Sequence, residues 1–126
     1  MEVYIILALV LALLQIWIIP LVLNLSNLEW MLSNREEVLD DSPMLIRSRK
    51  AYANLQETLP IFLVLAVLSI QLEVANEQLA EGWLITRLIY LVLGIANVYS
   101  YPFIRTGVWF VSIGFMVCMA CNLMSA

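Results

Sequence analysis

The feature that most limits how this chain folds is its first apolar segment, which runs from Val3 to Leu25 without a charged residue. A helix needs about 20 apolar residues to cross a membrane, and this segment is long enough. It has neither a basic start nor a small-residue cleavage site, so we expect it to remain as a helix and not to be removed as a signal peptide. The chain is therefore predicted to be an integral, multi-pass membrane protein.

Composition and hydropathy extend this prediction to the whole chain of 126 residues, of which 63% are hydrophobic and 13% charged. Soluble domains have about 25% charged residues. Hydropathy separates four segments, at about residues 3–25, 50–72, 83–101 and 106–124. The second includes a polar opening stretch, because its purely apolar part, Leu59 to Leu72, is too short for a bilayer core of about 30 Å. We predict an all-α fold, a single four-helix transmembrane domain over residues 1–126.

The charged residues predict an orientation and exclude some classes of function. Five of the six basic residues lie in the loop between helices one and two or in the turn before helix four: Arg35, Arg47, Arg49, Lys50 and Arg105. By the positive-inside rule this face, with the loop between helices one and two, is expected to be cytoplasmic, and in a bacterium the membrane is the inner one. A net charge of −4 offers no basic surface for nucleic acid, and a chain without histidine is not expected to hold a metal.

Cysteines and single aromatic residues carry less information. Cys118 and Cys121 lie in the last apolar segment at helical spacing, where an intrahelical disulfide is geometrically poor. Buried thiols are therefore expected, with a redox pair as the alternative. Near the segment ends, Tyr4, Trp30 and Trp83 are expected in interfacial aromatic belts, without a functional role.

Two predicted helices each carry a stripe of residues along one face. On helix two these are Arg47, Lys50, Asn54, Glu57, Ile61, Val64, Leu68 and Gln71, and on helix three Arg87, Tyr90, Gly94, Asn97 and Tyr101. Both faces are expected to point into protein, because an ionised residue at bilayer depth costs at least about 2.5–3.5 kcal/mol. We therefore expect Glu57 and Arg87 to form an ion pair. This pair either only specifies helix packing or belongs to a polar ligand pocket.

Arg105 follows Pro102 in the stretch PFIRTGVW, which places it at the start of helix four. Free backbone N–H groups and the helix dipole favour an anion there. A guanidinium beside a helix start suits a carboxylate or a thiolate. The alternative is that Arg105 only extends to the lipid headgroups.

At these residues the sequence resembles the MAPEG family, the membrane-associated proteins in eicosanoid and glutathione metabolism, and especially its short bacterial members. One part of the resemblance is RSRKAYANLQETLPIF, from Arg47 to Phe62, similar to the family's helix-two pattern of basic residues, Asn, Glu, Pro and Phe. The other part is RLIYLVL with YPFIRTGVW, similar to the helix-three Arg-x-x-Tyr/His element and the opening of helix four. The matching helix count and length extend it over nearly the whole chain.

The resemblance implies a homotrimer that binds glutathione as a co-substrate between subunits, near the cytoplasmic face. It implies an enzyme of the microsomal glutathione transferase type, acting on lipophilic electrophiles or lipid hydroperoxides within the membrane lipids. By motif, the glutathione-binding residues are Asn54, Glu57, Arg87 and Tyr90, and the catalytic residue that stabilises the thiolate is Arg105. In SNREE, Arg35 is similar to a loop arginine that holds a glutathione carboxylate.

Two positions depart from the family pattern. Gly94 stands where many members have a tyrosine, which leaves Tyr99 and Tyr101 as candidates to replace it. Arg87 precedes Arg105 by 18 residues, two or three more than the pattern has. A non-catalytic lipid-binding or scaffold subunit of the same fold is the main alternative function. A small transporter component is another, although repeated halves and several broken helices, which are typical of transporters, are not visible.

Overall fold

Four long helices make up the computed structural model, which describes residues 1–23, Leu25, Leu32, 43–96 and 102–126. They are α1, Glu2–Leu23; α2, Pro43–Gln71; α3, Glu77–Ile95; and α4, Pro102–Met124. Each is long and apolar enough to cross a membrane, and the described residues form no strand. The predicted four-helix membrane fold is confirmed.

The helices α2 and α3 begin earlier than hydropathy indicated, at Pro43 and Glu77 instead of near residues 50 and 83. The 29 residues of α2 are about 44 Å long, so the helix extends beyond a hydrocarbon core of about 30 Å. Its exposed Arg49 and Lys50 belong to this extension. In α3, Glu77 is in the first turn, where a negative charge favours the helix dipole. Hydropathy therefore finds the apolar part of each helix, whereas these two helices begin among polar residues.

Contacts between α3 and α4 recur along their whole length. As the residue number rises on α3, the number of its partner on α4 falls, so the two helices pack antiparallel. Each contact fixes the position of one turn of α4 beside one turn of α3. The contacting pairs are Asn76 with Asn122, Gly82 with Phe115, Arg87 with Ser112, and Tyr90 with Arg105.

Asn76, in the short connection before α3, ties three helices together at one end of the bundle. It is fully buried, and its Nδ2 donates to Ser69 Oγ at 2.9 Å and to the Met119 carbonyl at 3.3 Å. Its Oδ1 accepts a hydrogen bond from Asn122 Nδ2 at 2.8 Å. Both ends of the amide are satisfied, so this connection is held against α2 and α4 by polar contacts inside the protein.

At the opposite end, Arg47 connects the start of α2 to the end of α3. Its Nη2 donates to the Ile95 carbonyl at 3.2 Å. The last carbonyls of a helix lack internal partners, and a cation there also favours the helix dipole. This contact brings the basic stretch of α2 next to the C-terminus of α3, as the predicted clustering of basic residues on one face requires.

Trp83 lies in the core, so its expected place in an interfacial belt is wrong. The side chain is fully buried and its ring stacks on Phe62, with centroids 3.9 Å apart and planes 5° from parallel. The physical reason is the side of α3 on which Trp83 lies, because it shares the buried face of the helix with Ala80 and Arg87. Tyr4 lies near the same end of the bundle and donates to Glu81 Oε2 at 3.4 Å. Trp30 is outside the described residues.

The two cysteines are free and exposed, which corrects the expectation of buried thiols. Cys118 and Cys121 lie on the outer side of α4, whereas Met116 and Met119 face the core. With 100° between successive residues, the two cysteines share one side of the helix and the two methionines the other.

Within α1, the segment Leu14–Ile18 is a π-helical turn that contacts α2. Gln15, in this turn, is 3% exposed, and its side-chain oxygen has no hydrogen-bond partner among the residues that the structure describes. An extra residue in a helical turn changes which side chain faces the neighbouring helix. The polar break that Gln15 makes in the first apolar segment therefore lies inside the protein and does not face lipid.

Candidate functional site

Arg87 lies in the middle of the bundle, where three helices surround its guanidinium. It is 2% exposed. Its Nη1 donates to Asn54 Oδ1 on α2, and its Nη2 donates to Ser112 Oγ on α4 at 2.8 Å. The guanidinium carbon is 5.6 Å from the centroid of the Trp83 ring and 6.0 Å from that of the Tyr90 ring. Hydrogen-bond acceptors and aromatic rings thus hold a cation at this depth.

Ser112 belongs to this cluster and was missed in the sequence. It is 1% exposed and donates to the Trp109 carbonyl at 2.7 Å, one turn earlier on α4. It follows Arg105 by seven residues, which is about two helical turns and places both on one face of α4. Its position two turns after a candidate site residue is the sequence signal that could have identified it.

Asn54 and Glu57, one turn apart on α2, point in different directions. Asn54 is half-buried at the edge of the core face and accepts the hydrogen bond from Arg87. Glu57 is exposed. Within the described residues, ion pairs join only the N-terminal amino group to Glu2 and Glu77.

The expected ion pair between Glu57 and Arg87 is therefore wrong for the single chain. The core residues Leu55 and Phe62 define the buried face of α2. At 100° per residue, Glu57 lies roughly 140–160° away from both of them around the helix. It points away from α3, so Arg87 reaches Asn54 instead.

The rest of the α2 stripe also lies on the outer surface, and not in the interior of the chain as expected. Ile61 is 53% exposed, Val64 59% and Leu68 38%, and Gln71 at the helix end is exposed as well. At the start of the stripe, Arg47 and Asn54 contact α3, at Ile95 and Arg87. Together with Glu57, these side chains form a continuous outer face, called here the α2 outer face: Glu57, Ile61, Val64, Leu68 and Gln71.

Tyr90 connects the two arginines of the site. It is 5% exposed and follows Arg87 by one turn, with its ring beside that guanidinium. Its hydroxyl accepts a hydrogen bond from Arg105 Nε at 3.0 Å. The long sequence spacing between Arg87 and Arg105 therefore does not keep them apart, because both contact the same tyrosine.

Arg105 lies in the first turn of α4, which begins at Pro102, and its side chain is exposed. The α4 N-terminus supplies N–H groups and the positive end of the helix dipole at the same place. An exposed guanidinium, a phenol and a helix N-terminus together suit an anion. Of the two arginines in the cluster, Arg105 is thus the exposed one and Arg87 the buried one.

The structure brings together four of the predicted site residues, Asn54, Arg87, Tyr90 and Arg105, and adds Ser112. Glu57 lies outside this cluster, on the α2 outer face. Two further candidates, Arg35 and Tyr101, are outside the described residues, as are Asn97 and Tyr99. The searched part of the chain contains no group of three or more His, Cys, Asp or Glu residues that could hold a metal ion.

One comparison with known proteins found a match. The model of the MAPEG family matches residues 4–124, which include all five clustered residues and almost all of the four helices. No curated protein and no solved structure matches the chain.

Proposed function

Because this chain belongs to the MAPEG family, we propose that it is a membrane enzyme of the microsomal glutathione transferase type. It binds glutathione as a co-substrate and transfers the thiol to lipophilic electrophiles, or uses it to reduce lipid hydroperoxides. The observation that carries the proposal is the contact of Tyr90 with both Arg87 and Arg105. A buried cation and an exposed cation joined through one phenol fit a negatively charged, polar ligand at the membrane boundary.

The chemistry of glutathione matches the groups at this site. Glutathione carries two carboxylates, an ammonium group and a thiol. Arginine binds carboxylates through charge-assisted hydrogen bonds, and a carboxylate such as Glu57 binds an ammonium group. Arg105, exposed at a helix N-terminus, is the residue placed to stabilise a thiolate. Arg87 is almost fully enclosed, so it contributes its charge and holds Asn54 in position.

The reaction itself needs the thiolate form of glutathione. In the transfer, the sulfur forms a bond to an electrophilic carbon, the leaving group departs with its electron pair, and the thiol proton goes to water. In hydroperoxide reduction, two glutathione molecules supply two electrons to the O–O bond and become a disulfide, while the hydroperoxide becomes an alcohol and water. An ordinary thiol has a pKa of about 8.5, so at neutral pH a cation that lowers this pKa raises the reactive fraction.

The α2 outer face supports a homotrimer as the functional unit. Glu57 lies 14 residues before the end of α2 at Gln71, or about 21 Å, which is within the thickness of a bilayer core. An ionised carboxylate facing lipid costs at least about 2.5–3.5 kcal/mol, so a protein neighbour on this face is favoured. With a second copy there, Glu57 lines an intersubunit site and its charge is available for a ligand ammonium.

Replacing Arg105 by alanine tests the proposal. We expect Arg105→Ala to keep most of the glutathione affinity but to raise the pKa of the bound thiol by up to about two units, or about 2.7 kcal/mol. The conjugation rate at neutral pH then falls roughly 10- to 100-fold and recovers as the pH rises, because the thiolate returns. The measurements are thiolate absorbance during glutathione titration in detergent, and conjugation of a dinitrobenzene halide against pH.

Arg49→Ala is the matched control, since it removes an exposed arginine from α2 outside the cluster. It should leave the rate and the pH profile unchanged. An unchanged pH profile in Arg105→Ala would mean that Arg105 only anchors the helix end. A wild-type protein that binds no glutathione would refute the proposed enzyme and favour the non-catalytic lipid-binding or scaffold subunit.

A further inference from the structure

Ser112 makes two hydrogen bonds whose directions follow from its single hydroxyl proton. That proton is donated to the Trp109 carbonyl at 2.7 Å. The oxygen lone pairs then accept from Nη2 of Arg87 at 2.8 Å. We infer that Ser112 is a positioning residue that fixes the Arg87 guanidinium. The second part of the inference rests on the proposed function: by fixing Arg87, Ser112 also fixes the glutathione site around it.

The burial of Arg87 makes this contact important. A guanidinium that is 2% exposed cannot replace a lost protein partner with bulk water. Ser112 holds one terminal nitrogen from α4, while Asn54 holds the other from α2. Hydrogen bonds from a charged donor are about twice as strong as neutral ones, so removal of one acceptor favours reorientation of the whole group. Asn54 and the Tyr90 ring, which pack against Arg87, then change their positions too.

Ser112 also controls the position of Arg105 without touching it. The contacts of Arg87 with Ser112 and of Tyr90 with Arg105 are neighbouring links between the same two helices. The contact between Arg87 and Ser112 fixes the position of α4 along α3, and the contact between Tyr90 and Arg105 depends on that position. Ser112 thus acts on the enclosed arginine directly and on the exposed arginine through the register of the helices.

Glutathione affinity of three serine variants tests the inference. We expect Ser112→Ala to weaken binding about tenfold, the usual effect of losing one hydrogen bond to a charged group. Ser112→Thr should restore affinity to within about threefold, because a threonine hydroxyl in a helix also bonds the carbonyl one turn earlier. Ser69→Ala is the matched control, since Ser69 donates to the Leu65 carbonyl at 2.7 Å and accepts from Asn76 at 2.9 Å, away from the cluster.

The control should leave glutathione affinity within about twofold, because it lies away from the cluster. It should also lower stability, but by less than Ser112→Ala, because the donor to Ser69 is the neutral Asn76 amide. Equal losses of affinity in Ser112→Ala and Ser69→Ala would overturn the inference, because the effect would then be general destabilisation. An unchanged affinity in Ser112→Ala would overturn it as well.

A second measurement does not depend on glutathione. In protein with isotope-labelled arginine, the Arg87 signals are assigned by their loss in Arg87→Lys, and proton exchange of its guanidinium is measured by NMR. Exchange should be faster in Ser112→Ala and unchanged in Ser112→Thr and Ser69→Ala. Unchanged exchange in Ser112→Ala would refute the role of Ser112. If the wild type binds no glutathione, the proposed function fails, while this exchange still decides whether Ser112 holds Arg87.

Discussion

Asn76 offers the most direct test of how the bundle is held together. Its fully buried side chain makes three hydrogen bonds, to Ser69, to the Met119 carbonyl and from Asn122. Side-chain hydrogen bonds in membrane proteins average about 0.6 kcal/mol and reach about 1.7, against about 1 kcal/mol in soluble proteins. Three bonds correspond to roughly 2–3 kcal/mol, so we expect Asn76→Ala to lower the free energy of unfolding by that amount.

Asn122→Ala is the control for this prediction. It removes only one of the three bonds, the one at 2.8 Å to Asn76 Oδ1, so its cost should be about 0.6–1 kcal/mol. Unfolding is followed by circular dichroism as sodium dodecyl sulfate is added to protein in mild detergent. Equal costs for the two variants, or no cost for Asn76→Ala, would show that the buried amide does not connect the helices energetically.

Two further predictions concern the packing of α3 on its neighbours. Gly82→Ala places a Cβ 2.5 Å from the Phe115 ring, whereas a Cβ at Gly114 has nothing within 4 Å. In detergent unfolding, Gly82→Ala should therefore be about 1–2 kcal/mol less stable than the control Gly114→Ala. In double-mutant cycles of unfolding, Arg87→Gln should couple to Asn54→Leu by about 0.5–3 kcal/mol, because the two side chains are hydrogen-bonded. Arg87→Gln and Glu57→Gln should be additive, because Glu57 faces outwards. The reverse pattern would show that Arg87 pairs with Glu57 and not with Asn54.

The architecture could be predicted from the sequence because each helix contains an apolar segment long enough to cross a bilayer. Hydropathy does not say which side of a helix faces the core, and this limit produced the wrong place for Trp83. It also cannot find a helix start among polar residues, such as Glu77 of α3. The same limit applies to the start of α2 at Pro43, where the helix continues outside the membrane.

The site was predicted as a set of residues, but not as a set of contacts. Asn54 and Glu57 are only about 60° apart around α2, so a periodic pattern assigns both to one stripe. Which of them reaches Arg87 depends on where α3 packs, and helical periodicity does not contain that information. Ser112 was missed for a related reason, since a small polar residue in an apolar helix has the same pattern whether it faces lipid or a buried cation.

The partner that Arg87 takes changes what the site can do. An ion pair with Glu57 would combine the two charges inside one chain and leave little field for a ligand. The hydrogen bonds to Asn54 and Ser112 fix the guanidinium with neutral oxygens, so these bonds orient the cation without cancelling its charge. Electrostatic interactions are strong in a medium of low dielectric constant, and Arg87 is enclosed close to Tyr90 and through it to Arg105. Glu57 lies on the α2 outer face instead. The fold thus places Arg87 and Arg105 in one cluster and Glu57 on the α2 outer face. Under the proposed function, a ligand that carries both charges and lies between two copies of the chain contacts both places.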